Sequence, residues 1–379
     1  MSADALRADV EALAAMTRGS AAPGERRSGE WLAERLRACG ASDVRLESFR
    51  YQSSYAWAHG LHLAAGLLAA RRGGILGSAA ALATLASLEL EVSGRRQWVR
   101  RLLPAGEGTN VLARIPAAQD ARRTLVLVAH HDAARTGVGW HPRLVRMGAR
   151  PGVMAPRMGL VGVALVLAAL PGLRRLGAAL LALSLAAYAD LVTSPTVPGA
   201  NDNATGVAAQ LALARRLAAD PLPHTDVLLV GTGCEESGMG GMAAFLRGTG
   251  AGLDPARTLV LSLDTLGSGT PLVASGEATL LEHRYREEDL ALAGAGAARA
   301  GVPAPQRWRV GAWTDAILAR FAGLPALSLL SVGPDGVYPN WHLPTDTPDR
   351  VDWDCLEHCT RIAAGIAAEF DARESRLGL

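Results

Sequence analysis

The sequence predicts an α/β fold with a mostly parallel central sheet, helices on both faces and two inserted apolar helical hairpins. Three observations predict it. Short apolar runs of strand length, at 124–129, 226–231, 258–263 and 324–330, alternate with stretches of helical periodicity, as βαβ units do. Several of these runs stop in an acid or an imidazole, the residue types that open α/β sheets carry at the carboxyl ends of their strands. Two longer stretches, 55–90 and 158–189, are apolar or small at nearly every position and interrupt the alternation without adding strands.

In order, residues 3–18 read as a helix, with Leu6, Val10, Leu13 and Met16 at helical spacing. A second helix runs from 28 to about 40, and 44–49 alternates as a strand. Strands are expected at 109–116 and 124–129, then a helix at 204–217 and a strand at 226–231. A helix at 239–248, a strand at 258–263, helices at 287–300 and 313–322, a strand at 324–330 and a last helix at 353–372 complete the pattern.

The two greasy stretches are each divided by an arginine pair, Arg71-Arg72 and Arg174-Arg175. Each therefore reads as two apolar helices joined by a basic turn. The arms have about 14–18 residues, against the ~20 that cross a bilayer. They show little polar face beyond His59, His62 and a few Ser and Thr, which a hairpin packed in water would need. The expectation is one peptidase-sized domain over 1–379, with hairpins inserted at 55–92 and 152–196 that associate with a lipid bilayer. Arg95, Arg96, Arg100, Arg101, Arg143, Arg146, Arg150 and Arg157 flank the hairpins on the domain side. That excess over the turns places the domain on the cytoplasmic side.

The 379 residues suffice for a large core. Net charge is +2 with no basic run, which gives no case for nucleic acid. All 38 basic residues are arginine. Four cysteines (Cys39, Cys234, Cys355, Cys359) lack the partners of a zinc knuckle and read as small buried residues. The amino terminus lacks the basic start and apolar core of a secretory signal, in line with a reducing compartment.

Chemistry enters at His130-His131-Asp132, where the 124–129 run ends. His130 and Asp132 stand two apart, so an extended backbone aims both to one side. Asp202 lies in the turn 198–206, just ahead of a helix, where it caps the helix or binds metal. Glu235 and Glu236 follow the 226–231 run among glycines; adjacent acids on such a rim can divide metal binding from proton transfer. Asp264 ends the 258–263 run, and His342 sits in a proline-rich loop. Each alone has an ordinary structural explanation. Together they are the ligand stock for two zinc ions sharing a carboxylate.

This order of motifs resembles the co-catalytic di-zinc aminopeptidases, the family of the bacterial leucyl aminopeptidases and the yeast vacuolar aminopeptidase. The likeness covers about 1–51, 108–137 and 199–370 and skips both hairpins. The resemblance implies a zinc exopeptidase fold, two Zn2+ ions and a peptide substrate with a free amino terminus. It implies that His130 and Asp264 hold one zinc, Glu236 and His342 the other, and that Asp202 bridges them. Asp132 would orient His130, and Glu235 would be the general base. Relatives often carry Ser-Asp-His where this chain has Thr314-Asp315-Ala316, and Tyr where Trp341 stands. Tyr338 is then a candidate oxyanion donor. His131, His141, His224, His283 and His358 read as surface or packing groups. The alternatives are a one-zinc cyclase resembling the glutaminyl cyclases and a non-catalytic membrane scaffold. The second hairpin, lying between two ligand segments, is expected to roof the site.

Overall fold

The computed structural model describes residues 3–147, 149–154 and 159–377. Arg157 and Met158 therefore lie outside the described residues. One nine-stranded sheet organises the chain: β1 (Ser42–Tyr51), β2 (Gly106–Ile115), β3 (Arg123–His130), β4 (Thr225–Thr232), β5 (Thr258–Leu263), β6 (Thr270–Glu277), β7 (His283–Arg284), β8 (Gln306–Val310) and β9 (Ala326–Val332). The helices are α1 (Ala3–Ala14), α2 (Pro23–Ala38), α3 (Ala56–Arg72), α4 (Gly74–Val92), α5 (Pro142–Val145), α6 (Gly159–Ala169) and α7 (Arg174–Thr193). They continue with α8 (Thr205–Ala219), α9 (Gly240–Arg247), α10 (Glu287–Ala300), α11 (Asp315–Phe321) and α12 (Trp353–Leu377).

The strand order is β1-β2-β4-β3-β5-β9-β6-β7, with β8 paired to β6. The α/β class and central sheet are as expected, and parallel pairing holds for the middle four strands, β4-β3-β5-β9. The margins differ: β1-β2, β2-β4, β6-β9 and β6-β7 are antiparallel. β6, β7 and β8 escaped the sequence reading because Pro271 and Gly276 break up the apolar run, and a proline argues against a strand. Leu125–Ala129 of β3 are fully buried, with α8 and α11 both packed on β3 and β5. Burial on both faces is why this strand is a continuous apolar run rather than an alternating one.

The four apolar helices have their own core, separate from that of the sheet: Leu63, Leu88, Val161, Leu165 and Leu181 pack together. The hairpins thus form one four-helix bundle, with α3 on α4 and α7, and α6 on α4 and α7. Close approach makes this possible. At Gly177 a Cβ would collide with the α6 backbone at Ala164 and Ala168, so α6 and α7 touch main chain to main chain. Ser78 on α4 donates to the Ala169 carbonyl on α6 at 2.5 Å. α4 and α7, at 19 and 20 residues, are long and apolar enough to cross a membrane. α6 has only 11 described residues, about 16 Å at the α-helical rise, short of the expected arm. The outer surface of the bundle is greasy: Leu68, Ile75, Leu76, Leu82, Leu176 and Leu183 are exposed.

Candidate metal centre

Strand order positions the site. β4, β3 and β5 are neighbouring parallel strands, so their carboxyl ends open side by side. His130 is the last residue of β3, Asp264 follows β5 directly, and Glu235 and Glu236 lie in the turn after β4. Asp202 comes from the turn before α8 and His342 from the loop after β9.

All five expected ligands converge. His130 Nε2 lies 3.2 Å from Asp202 Oδ1 and 3.9 Å from Asp264 Oδ2. His342 Nε2 lies 3.2 Å from Asp202 Oδ2 and 3.1 Å from Glu236 Oε2. One carboxylate therefore turns one oxygen to each imidazole. Donor atoms of His130, Asp202 and Glu236 also lie within 4.8 Å of one another, so the two ligand groups are contiguous through Asp202. Glu235 Oε2 approaches His130 Nε2 at 4.0 Å. The six side chains are nearly all buried.

Asp132 ties these pieces together. Its Oδ1 is 3.4 Å from His130 Nδ1 and accepts from the Glu235 backbone N–H at 3.2 Å. Its Oδ2 accepts from the Glu236 N–H at 3.2 Å and from Ser20 Oγ at 2.6 Å. The carboxylate thus steers both the β3 imidazole and the two-glutamate turn, a role that sequence spacing could supply only for His130.

Other supports were silent in the sequence. Fully buried Arg18 donates to the Pro198 and Gly199 carbonyls, each at 2.6 Å, and Asp346 accepts from the Asn201 and Asp202 N–H groups. Together they fix the Asp202 turn. Asn203 bonds Leu263 O and the Thr265 N–H, which sets that turn against the end of β5. Glu25 on α2 accepts from the backbone N–H of Thr109 and Cys234, holding the start of the glutamate turn. Trp341 Nε1 donates to Asp202 Oδ2 at 3.1 Å, so the departure from tyrosine at this position supplies a carboxylate partner. Trp140 packs its ring on His342 with centroids 3.9 Å apart. His131, read as a packing group, is fully buried between Ser28 Oγ and Thr109 O.

The electrostatics fit a metal site. Burial, reinforced by neighbouring acids, pushes Asp264 up to about 7 and raises Glu235 and Glu236 as well. Against the pull of burial, Glu236 and Asp202 lift His342 to about 9, and Asp132 and Asp202 lift His130. Burial would raise Asp202 too, but its bonds to both imidazoles hold it low. Five buried acids crowd two imidazoles, and Glu236 Oε1 has no protein partner. Such a donor set of nitrogen and carboxylate oxygen suits zinc, whose bonds to these atoms are about 2.0–2.2 Å. The missing compensation for the crowded acids is positive charge.

The family model for peptidase family M28 matches residues 110–367. The chain belongs to peptidase family M28. The resemblance drawn from the motifs therefore holds, and with it the metallopeptidase class. M28 proteins of known structure share the fold across nearly the whole chain. An aminopeptidase from Aneurinibacillus sp. strain AM-1 is 15% identical with a TM-score of 0.58, covering 97% of this chain and 93% of that one. A zinc aminopeptidase from Bacillus subtilis is 13% identical with a TM-score of 0.57, covering 97% and 95%. A glutaminyl cyclase from Bacteroides thetaiotaomicron is equally similar, at 13% identity and a TM-score of 0.58, covering 97% of each chain. No curated protein matches this chain in sequence.

Above the metal ligands lies a cavity of about 730 Å3. Asp202, Glu235, Asp264 and His342 form part of its wall, and Leu160 and Val161 of α6 with Leu183 and Ala187 of α7 form another part. The second hairpin thus covers the site. Both hairpins also reach the site loops. Asp190 at the foot of α7 accepts from the Val138 N–H at 2.7 Å, two residues from Trp140. Arg100 bonds Glu91 at the foot of α4 and donates to Ser237 O, next to Glu236, both at 2.5 Å.

Proposed function

We propose that this chain is a membrane-associated zinc aminopeptidase that removes the first residue of peptides with a free amino terminus. The carboxylate of Asp202, with one oxygen turned to each imidazole, is the observation that carries this reading. His130 and Asp264 would hold one Zn2+, Glu236 and His342 the second, with Asp202 shared. When bound, the ions would polarise the scissile carbonyl and lower the pKa of a bound water. Glu235 takes the proton of that water and returns it to the leaving amine. Its environment suits the task, because burial raises its pKa and favours holding a proton between the two transfers. Asp132 keeps His130 and the glutamate turn in register. The domain spans 1–379, the segments 55–92 and 152–196 are insertions that enter the bilayer, and the catalytic face is cytoplasmic.

The test is metal content and turnover of leucyl anilides by the parent and Glu235→Gln proteins, with and without a chelator. The expected result is about two zincs in both proteins and loss of parental activity on chelation. Glu235→Gln should lose about 10²–10⁴-fold in kcat. One zinc with cyclisation of amino-terminal glutamine would instead support the cyclase alternative. No metal in either protein would leave a scaffold.

A further inference from the structure

The cavity over the metal ligands is far larger than one amino-acid side chain, and falls among pockets that take whole ligands of about 300–1,000 Å3. Its wall divides by chemistry. One end is the acids and imidazoles of the metal centre; the opposite wall is aliphatic, from α6 and α7. The charged groups there are already engaged: Glu91 with Arg100, and Asp190 with the Val138 N–H. The rim is apolar as well. Val138, Leu144, Met147, Leu160 and Leu183 all line the cavity, and all are exposed, at 55%, 46%, 67%, 54% and 65%. These side chains continue the greasy outer surface of the bundle. An exposed apolar rim of this kind marks a binding or membrane-contacting surface. A chamber that is polar only at its catalytic end, with a mouth on the lipid-compatible face, is built for a molecule divided the same way.

We propose that the substrate is an amphiphilic amide. Its polar head, bearing the free amine and the scissile bond, sits at the metal centre, and a long apolar chain lies along α6 and α7 and enters from the bilayer side. This rests on the hydrolase reading above and specifies its substrate. The chemistry is plain hydrolysis: the C–N bond breaks, hydroxide from water joins the acyl carbon, and the amine leaves with the electron pair and a proton.

The experiment uses full-length zinc-loaded protein in phosphatidylcholine nanodiscs. Two substrate series are compared, alanyl n-alkylamides from butyl to dodecyl and 2-aminoalkanoyl anilides of the same chain lengths. In at least one series kcat/KM should rise about threefold per methylene until the chamber is filled. Partition into lipid also favours long chains, so the decisive quantity is a comparison of proteins. Ala187→Trp, which fills the chamber, should cut the long-to-short ratio at least tenfold relative to the parent; Ala186→Trp on the same helix serves if Ala187→Trp does not fold. Calorimetric binding of the dodecyl and butyl amides to the Glu235→Gln protein probes the chamber without turnover. Tighter dodecyl binding, weakened at least tenfold when Ala187→Trp is added, supports the chamber even where no amide is cleaved, in which case only the hydrolase reading falls. Cleavage of short amides with equal long-to-short ratios in parent and filled proteins, or equal binding of the two chain lengths, overturns the amphiphile proposal alone.

Discussion

Single side chains decide the chemistry here, and their neighbours decide whether it can run. Tyr338 is buried in the cavity wall, and its hydroxyl has no protein partner. A buried hydroxyl without a partner is costly unless a ligand supplies one. If Tyr338 steadies the developing oxyanion, Tyr338→Phe should lower kcat by about 10²-fold or more with KM little changed. Steady-state kinetics on a leucyl anilide would check this, and an unchanged kcat would remove Tyr338 from the mechanism. Glu277 illustrates a different cost. Burial raises its carboxyl to about 8, although Tyr285 Oη and the Thr314 N–H and hydroxyl all donate to it. The folded protein then keeps a proton that the unfolded chain releases near the ordinary carboxyl range. Stability from this group is present at low pH and declines as pH rises toward about 8, by up to a few kcal/mol. Thermal melts between pH 5 and 8 should fall more steeply for the parent than for Glu277→Gln. Parallel curves would place the proton elsewhere.

At the scale of elements, two devices set the geometry. The first is adjacency of β4, β3 and β5, which presents the glutamate turn, His130 and Asp264 along one edge. The second is the close-packed bundle whose feet hold the site loops through Asp190 and Arg100. Main-chain contact between α6 and α7 depends on Gly177, where a Cβ would meet the backbone of Ala168. Gly177→Leu should push these helices apart and destabilise the protein by about 1–3 kcal/mol, the usual cost of overpacking. It should also disturb the cavity wall, so melting temperature and anilide KM should shift together. A Gly177→Leu protein with parental melting temperature would show that the helices tolerate a wider separation. The motif residues were legible as elements because each closes an apolar run or sits in a loop of glycine, asparagine or proline. The edge strands β6–β8 were not, since a broken apolar pattern looks like loop when its partner strands are unknown.

For the whole molecule, two separate cores make a protein of two surfaces: a sheet domain with arginine-flanked loops, and a bundle with a leucine-rich exterior. The four hairpin arginines lie at one end of the bundle, where Gly73 meets the Arg174 side chain. Transfer of the exterior from water to lipid is favoured by its apolar area. The full chain should therefore resist extraction by alkaline carbonate and enter solution only with detergent. Recovery in the aqueous supernatant would show that the bundle is a water-facing ornament.

The sequence by itself determined the ligand types, their order along the chain and the two greasy insertions, because these are properties of short stretches: a strand's carboxyl end, a turn's composition, a run without polar faces. Tertiary structure alone decided the rest. Ser20, Arg18 and Asp346 join the site from more than 100 residues away in sequence from the groups they hold, and a single side chain leaves no local trace of such a partner. The union of two hairpins into one bundle over the metal ligands likewise depends on packing between segments some 90 residues apart, visible only once the chain has closed on itself.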